Sequence, residues 1–284
     1  MSGTFQKIQE ATEFLKQSFD NFVPDVGLVL GSGMGGYIDS CLGKVPGIPF
    51  VDIPHFPVSD VSGHAGLIYC GNTQGNPSCR LIISGGRPHY YEGFSPEQVV
   101  LPVCTMINSG AKIIILTCAV GAINPEFKPG NLVVISDHCS FFGPNPLRGP
   151  NDEKIGIRFP DMTEVYHPEL RNLALDCLGQ CGLPVLCGNL CILSGPSYET
   201  PFEISMLKKL GVDLVGMSTV LEAIAAVHMK VPVLALALVT NMAAGIEGPL
   251  DHGEVTQTAA ENSDIFARVM NAILAGIPAE LLKN

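Results

Sequence analysis

The stretch Val26-Gly-Leu-Val-Leu-Gly-Ser-Gly-Met-Gly-Gly36 decides how this chain is read. An apolar, β-branched run ends in Gly31, Gly33 and Gly36, the G-x-G-x-x-G spacing of a turn that brings backbone amides close to a phosphate. Three readings compete: a dinucleotide-binding turn, a tight surface turn, and an anion loop in which Ser32 and neighbouring amides meet a phosphate. The first needs a crossover helix, a second strand and an acidic residue about twenty positions on to take the ribose hydroxyls. Asp52 stands at about that distance, but Tyr37 to Ile48 contains Gly43, Pro46 and Gly47 and leaves room for less than two helical turns. That segment counts against the dinucleotide reading, which stays as a rival of a different class, an oxidoreductase, and it leaves the surface turn and the anion loop both open.

Outward from this loop the chain alternates. Apolar runs at Val26–Leu30, Leu67–Cys70, Leu81–Ile83, Ile113–Leu116, Leu132–Ile135, Leu190–Leu193, Val212–Val215 and Val233–Val239 read as buried strands. Helical patterns lie between them. Ser95-Pro-Glu-Gln98 and Thr200-Pro-Phe-Glu203 are capping boxes with proline at the first helical position, and further helices are expected over Pro168–Cys181 and about Gly253–Ala275. At the N-terminus Phe5, Ile8, Thr12, Leu15 and Phe19 recur on one helical face. The pattern predicts an α/β fold: a central mixed, largely parallel β-sheet flanked by helices, forming a single domain over residues 1–284.

The bulk composition excludes several functions. Sixteen Lys and Arg against 27 Asp and Glu give a formal charge of −11, so no basic face is available to hold a nucleic acid. The N-terminus lacks an apolar signal region, the longest apolar runs are strand-sized, and ten cysteines lack framework spacing, which together point to a cytoplasmic protein with reduced thiols and no membrane partner. Cys177, Cys181, Cys187 and Cys191 imitate two Cys-x3-Cys metal pairs, but one pair falls in an expected helix and the other in an expected strand, where four-residue spacing separates the thiols by over ~12 Å. No metal is expected.

Five of the strands end in small or polar clusters, and in open α/β sheets ligands bind outside the carboxyl ends of strands. The densest cluster is Gly86-Arg-Pro-His-Tyr-Tyr-Glu-Gly93, in which Arg87 can grip an oxyanion with two donors, His89 can add another and Tyr91 can cover a sugar ring. Glu92 is read either as an orienting partner for His64 or for a neighbouring subunit's loop, or as a helix-entry charge. His55, His138, His167 and His228 are read as structural or surface histidines.

Taken in order, GSGMGG, Gly63-His-Ala-Gly66, GRPHYYEG, Ser194-Gly-Pro-Ser-Tyr-Glu-Thr200, Gly216-Met-Ser-Thr219 and Val239-Thr-Asn241 resemble the motifs of trimeric purine nucleoside phosphorylases, and NPLRGPNDE at 145–153 with Arg158-Phe159-Pro160 extends the likeness over nearly the whole chain. The resemblance implies reversible phosphorolysis of purine ribo- and deoxyribonucleosides in salvage, by a homotrimer that uses inorganic phosphate as co-substrate and no cofactor. It implies that Ser32, Arg87, His89, Ser218 and the Ala119 amide hold phosphate, with His64 either beside them or a structural loop residue. It implies that Glu199 and Asn241 hold the base under Tyr198, next to Cys118 and Val120, and that Tyr91, Met217, His252 and a neighbouring subunit's Phe159 hold the ribose. In the related methylthioadenosine phosphorylases an acidic residue stands where this chain has Asn241, so hydroxylated purine ribonucleosides are the expected substrates.

The chain also departs from the family pattern. Thr117-Cys-Ala-Val-Gly-Ala122 stands where Thr-Asn-Ala-Ala-Gly-Gly is usual, Met242 where lysine is common, and Leu221 where proline is common. The weak hydrogen bonding of a thiol at Cys118 and the added bulk of Val120 and Ala122 predict altered base selectivity, admitting adenosine or a pyrimidine nucleoside such as cytidine. Neutral drift with ordinary inosine and guanosine activity is the alternative, as is a chain that binds nucleosides without turning them over.

Overall fold

The computed structural model describes residues 3–59, 66–75, 78–248 and 250–283. Among the described residues nine strands form one sheet: β1 (Val26–Val29), β2 (Ile48–Pro49), β3 (Leu67–Asn72), β4 (Arg80–Ser84), β5 (Ile113–Ala122), β6 (Leu132–Cys139), β7 (Cys187–Ile192), β8 (Leu214–Gly216) and β9 (Val233–Met242). Their order is β2-β3-β4-β1-β5-β8-β7-β6-β9, and β9 also pairs with β5, so the last five strands close on themselves. β4, β1, β5 and β9 lie side by side in parallel. Their carboxyl ends therefore share one edge, which is where ligands sit in such sheets.

Eight α-helices among the described residues cover the sheet: α1 (Thr4–Ser18), α2 (Tyr37–Leu42), α3 (Pro96–Asn108), α4 (Pro168–Gln180), α5 (Pro201–Lys209), α6 (Val220–His228), α7 (His252–Glu261) and α8 (Ser263–Gly276). Alternate residues of the central strands feed two cores. Val29, Ile114 and Leu116 pack with Ile8 and Leu15 of α1, Val103 of α3 and Ile224 of α6. Val26, Leu28, Ile113 and Ile115 pack on the other face with Ile38 of α2, Leu170 of α4 and Phe266 of α8. A sheet buried on both faces reads as unbroken apolar runs, which is why those strands were visible in the sequence.

The six-residue α2 and the two-residue β2, antiparallel to β3, leave no parallel crossover after the glycine loop. The expected helix over Gly253–Ala275 is instead two, because the Asn262 amide donates to Thr258 O (2.8 Å) and competes with the helical ladder where α7 ends. α6 was not among the expected helices; it is buried nearly all round, and a short apolar run of this kind cannot be told from a buried strand by its sequence pattern. β5 runs six residues beyond its expected end because Thr117–Ala122 continues as strand against β8 and β9. Among the described residues no helix is long and apolar enough to cross a membrane, and no group of three or more His, Cys, Asp or Glu is arranged for a metal.

Candidate active site

The glycine loop is latched onto β5. Thr117 Oγ1 donates to Val29 O (3.0 Å) and accepts from Gly31 N (2.9 Å). A Cβ at Gly31 would lie 2.9 Å from Cys118 Cα, and Gly33, at φ +77°, would meet Ala259 of α7 at 2.5 Å. Only glycine permits that approach, which leaves Ser32 on the cleft wall.

The loop after β4 supplies the charge. Arg87 is 2% exposed; its Nε donates to Glu222 Oε1 (3.0 Å) and its Nη1 to Thr117 O (2.6 Å). A buried guanidinium held this way has one orientation. His89 stacks on Tyr91 (4.8 Å between centroids), its backbone N–H donates to Glu92 Oε1 (2.7 Å), and its Nδ1 lies 3.1 Å from the same oxygen. Burial pushes the Glu92 carboxyl up, but hydrogen bonds from His89 and Ser59 outweigh it and hold the group below its ordinary value. Glu92 therefore orients His89 and, as the first-turn acid that accepts from the His89 backbone at the start of the short helical turn Tyr90–Glu92, is the helix-entry charge expected from the sequence. Burial, with Glu92 and Tyr198 nearby, pushes the Tyr91 phenol up to about 12, so it stays a neutral donor at physiological pH.

The opposite wall comes from β5 and β9. Val120 pairs with Val239, but Gly121 pairs with Asn241, so Thr240 is the extra residue of a bulge. Bulges re-aim side chains, and this one sets Asn241 at the cleft. Thr240 Oγ1 donates to Asn241 Oδ1 (2.9 Å), and Asn241 Nδ2 donates to Met242 O (2.9 Å), which fixes the amide and leaves Nδ2 one further N–H. Beyond β7, burial and the neighbouring Glu203 raise the Glu199 carboxyl above its ordinary value, with a hydrogen bond from its own backbone opposing them. Beyond β8, Ser218 enters through a tight turn.

One cleft is lined by Ser32, Arg87, His89, Tyr91, Ala119, Val120, Tyr198, Glu199, Met217, Ser218 and Asn241, drawn from the ends of six strands and joined by Gly121, Val215, Gly216, Thr240 and Val255. Four expected members are not placed there. Cys118 is 2% exposed and is not among the residues that line the cleft; Thr219 bonds its thiol, and Arg87 and Glu222 lie near. Phe159 is 84% exposed at the surface, with the Arg158 guanidinium 5.4 Å from its ring centroid. His64 lies outside the described residues, and so does the side chain of His252, whose backbone opens α7. Met242 lines a separate hollow with Glu254 and Glu261 as well as packing in the core. His55, His138 and His228 are engaged by Glu10, Tyr166 and Asn151.

Glu222, Thr240 and Gly121 were missed in the sequence, although Thr219-Val-Leu-Glu222 carries capping-box spacing.

Residues 25–275 match the Phosphorylase superfamily. The chain is 45% identical over 268 residues to purine nucleoside phosphorylase 1 of Geobacillus stearothermophilus, covering 94% of this chain and 96% of that protein. Two solved Schistosoma mansoni structures superpose on it, each 33% identical and each covering 96% of this chain and 97% of theirs: purine nucleoside phosphorylase in complex with inosine (TM-score 0.87) and isoform 2 of that enzyme in complex with cytosine and ribose-1-phosphate (TM-score 0.88). A glycine loop, a buried arginine, an amide and a carboxylate brought into one cleft agree with that kinship: the chain belongs to the phosphorylase superfamily, in its purine nucleoside phosphorylase branch.

Proposed function

We propose that this cleft cleaves purine ribo- and deoxyribonucleosides, inosine and guanosine foremost, against inorganic phosphate, giving free base and (deoxy)ribose 1-phosphate. The supporting observation is the convergence of oxyanion donors (Arg87, His89, Ser32 and Ser218) with a carboxylate and an amide (Glu199 and Asn241) around a single cavity. A phosphate oxygen attacks C1′ as the C1′–N9 bond breaks, so positive charge builds on the ribose and negative charge on the leaving purine. Arg87, His89, Ser32, Ser218 and the Ala119 amide hold the nucleophile beneath the sugar. The remaining N–H of Asn241 donates to the O6/N7 edge as charge arrives there, and the ionised Glu199 accepts from the N–H side of the ring. Tyr198 covers the base, and Tyr91, Met217 and His252 contact the ribose. Phosphate is itself the co-substrate, and no metal or organic cofactor takes part in this scheme.

The active species is a homotrimer in the cytoplasm. Phe159 is 84% exposed, and Phe141, Phe202 and Leu210 are 87%, 79% and 61% exposed, an apolar display that a lone chain leaves in water. In the trimer, Phe159 completes a neighbour's ribose and base subsite. A second reading concerns the base: a relative has been solved with cytosine and ribose-1-phosphate. Val120 is the residue that bears on it, because it lines the cleft where Cys118 does not. Incubation with inosine, with and without phosphate, tests the main reading. Hypoxanthine released only with phosphate supports it, whereas binding without turnover, or faster turnover of cytidine than inosine, overturns it.

A further inference from the structure

Arg87 and Ser218 reach the cleft from loops 131 positions apart, and one buried carboxylate touches the supports of both. Glu222, in the first turn of α6, is 2% exposed and opposes an equally buried Arg87. Its Oε1 accepts from Arg87 Nε at 3.0 Å and its Oε2 from the backbone N–H of Thr219 at 3.1 Å. Thr219 is the residue directly after Ser218 and stands at φ +76°, ψ −49°, with Val220 N donating to Ser218 O at 2.8 Å. This is the rare γ-turn with positive central φ, a strained state for a β-branched residue that persists only when its surroundings impose it.

We infer that Glu222 is a positioning residue for phosphate: its carboxylate clamps the Arg87 guanidinium to the strained turn that presents Ser218, so that the two phosphate donors are held in one geometry. The inference rests on the reading that Arg87 and Ser218 bind phosphate. Electrostatics supports a geometric role. An anion placed beside an anion-binding arginine weakens phosphate binding through repulsion, so direct attraction cannot be its contribution. The clamp is also tied to β5, since Arg87 Nη1 donates to Thr117 O at 2.6 Å and the Cys118 thiol is hydrogen-bonded with Thr219. The Arg87 side chain, the Ser218 turn and the β5 floor thus form a single unit about one carboxylate.

The test is steady-state phosphorolysis of inosine by Glu222→Gln, with phosphate and inosine varied separately. A glutamine presents one acceptor oxygen where the clamp uses two, so Arg87 or Thr219 loses its partner. The phosphate KM is expected to rise roughly tenfold or more, the scale of one charge-assisted hydrogen bond, while the inosine KM stays within about twofold. A purely structural role would lower the melting temperature and the active fraction and leave the phosphate KM of the folded enzyme unchanged, and that result overturns the inference. Should Glu222→Gln fail to fold, Glu222→Asp keeps the charge but is one methylene too short to span both donors; the same rise is expected, and a wild-type phosphate KM refutes the clamp. Arg87→Ala separates the two levels. If it too leaves the phosphate KM unchanged, the phosphate assignment itself fails. If it alone raises the phosphate KM, only the role of Glu222 falls.

Discussion

Gly121 sits at the β5–β9 bulge, opposite Asn241, and its replacement by alanine isolates the base side of the cleft. Its φ is not positive, so alanine meets no backbone penalty and the effect is steric alone. The new Cβ would lie 3.2 Å from Asn241 Nδ2 and 3.3 Å from Val215 Cγ2. Val215 is a 4%-exposed residue packed with Cys191, Ile204 and Ala243, so it has little room to retreat. The Asn241 amide must yield instead, at the expense of its bonds to Thr240 and Met242, each worth about 1 kcal/mol. Moving the amide also misdirects the N–H that meets the purine, so about 1.4–3 kcal/mol of transition-state stabilisation is lost, roughly a 10- to 100-fold fall in kcat/KM for inosine. The assay is steady-state phosphorolysis with phosphate varied in parallel, because the atoms nearest the new Cβ belong to Asn241, Val215 and Ala243 rather than to Arg87 or Ser218, and the phosphate KM should hold within about twofold. A Gly121→Ala enzyme whose inosine kcat/KM stays within about twofold of wild type would refute the argument that the bulge aims the catalytic amide.

Burial raises the Glu199 carboxyl above 4.5, so its ionised form penalises the fold and its protonated form does not; acidification through its folded pKa removes activity without removing stability through this group. The acid limb of inosine kcat/KM should therefore lie above pH 4.5 while the protein remains folded by circular dichroism, and Glu199→Gln should be slower by roughly tenfold or more with that limb abolished; a limb unchanged in the variant disproves the assignment. Cys118→Asn should leave the ranking of inosine, guanosine, adenosine, cytidine and uridine unaltered, because residue 118 is buried and is not among the residues that line the cleft, whereas Val120→Ala should change it; a ranking reordered by the first variant would identify Cys118 as a base contact. Dilution that dissociates the assembly should reduce inosine turnover, and Phe159→Ala should cut kcat/KM roughly tenfold with the phosphate KM held; a fully active monomer in sedimentation excludes the shared site.

Much of the strand inventory and the set of residues at the strand ends could be read directly. Buried parallel strands advertise themselves as apolar runs, and the polar clusters that follow them are costly unless they bind something. Local chemistry also counted against the dinucleotide reading, since Gly43, Pro46 and Gly47 break any crossover helix without reference to the rest of the chain. α6 escaped notice for a related reason: a helix buried nearly all round is a short apolar run, which sequence pattern alone does not separate from a buried strand. The extension of β5 was hidden because Thr117 and Cys118 look like a loop, until β9 and β8 pair with them and the residues that follow.

Side-chain direction belonged to the tertiary structure. Cys118 and Val120 are two positions apart on one strand, and nothing local tells which lines the cleft; Gly31 packs closely on Cys118, and Val120 is the one that lines it. The bulge at Thr240 depends on register between two strands about 120 residues apart, and Glu222 acquires its contact with Arg87 across 135 residues. Residue types and their order along the chain determined which groups were available for the chemistry. Long-range packing decided which of them meet, because a hydrogen bond of about 3 Å is set by where two distant backbones are held and not by the spacing of either one.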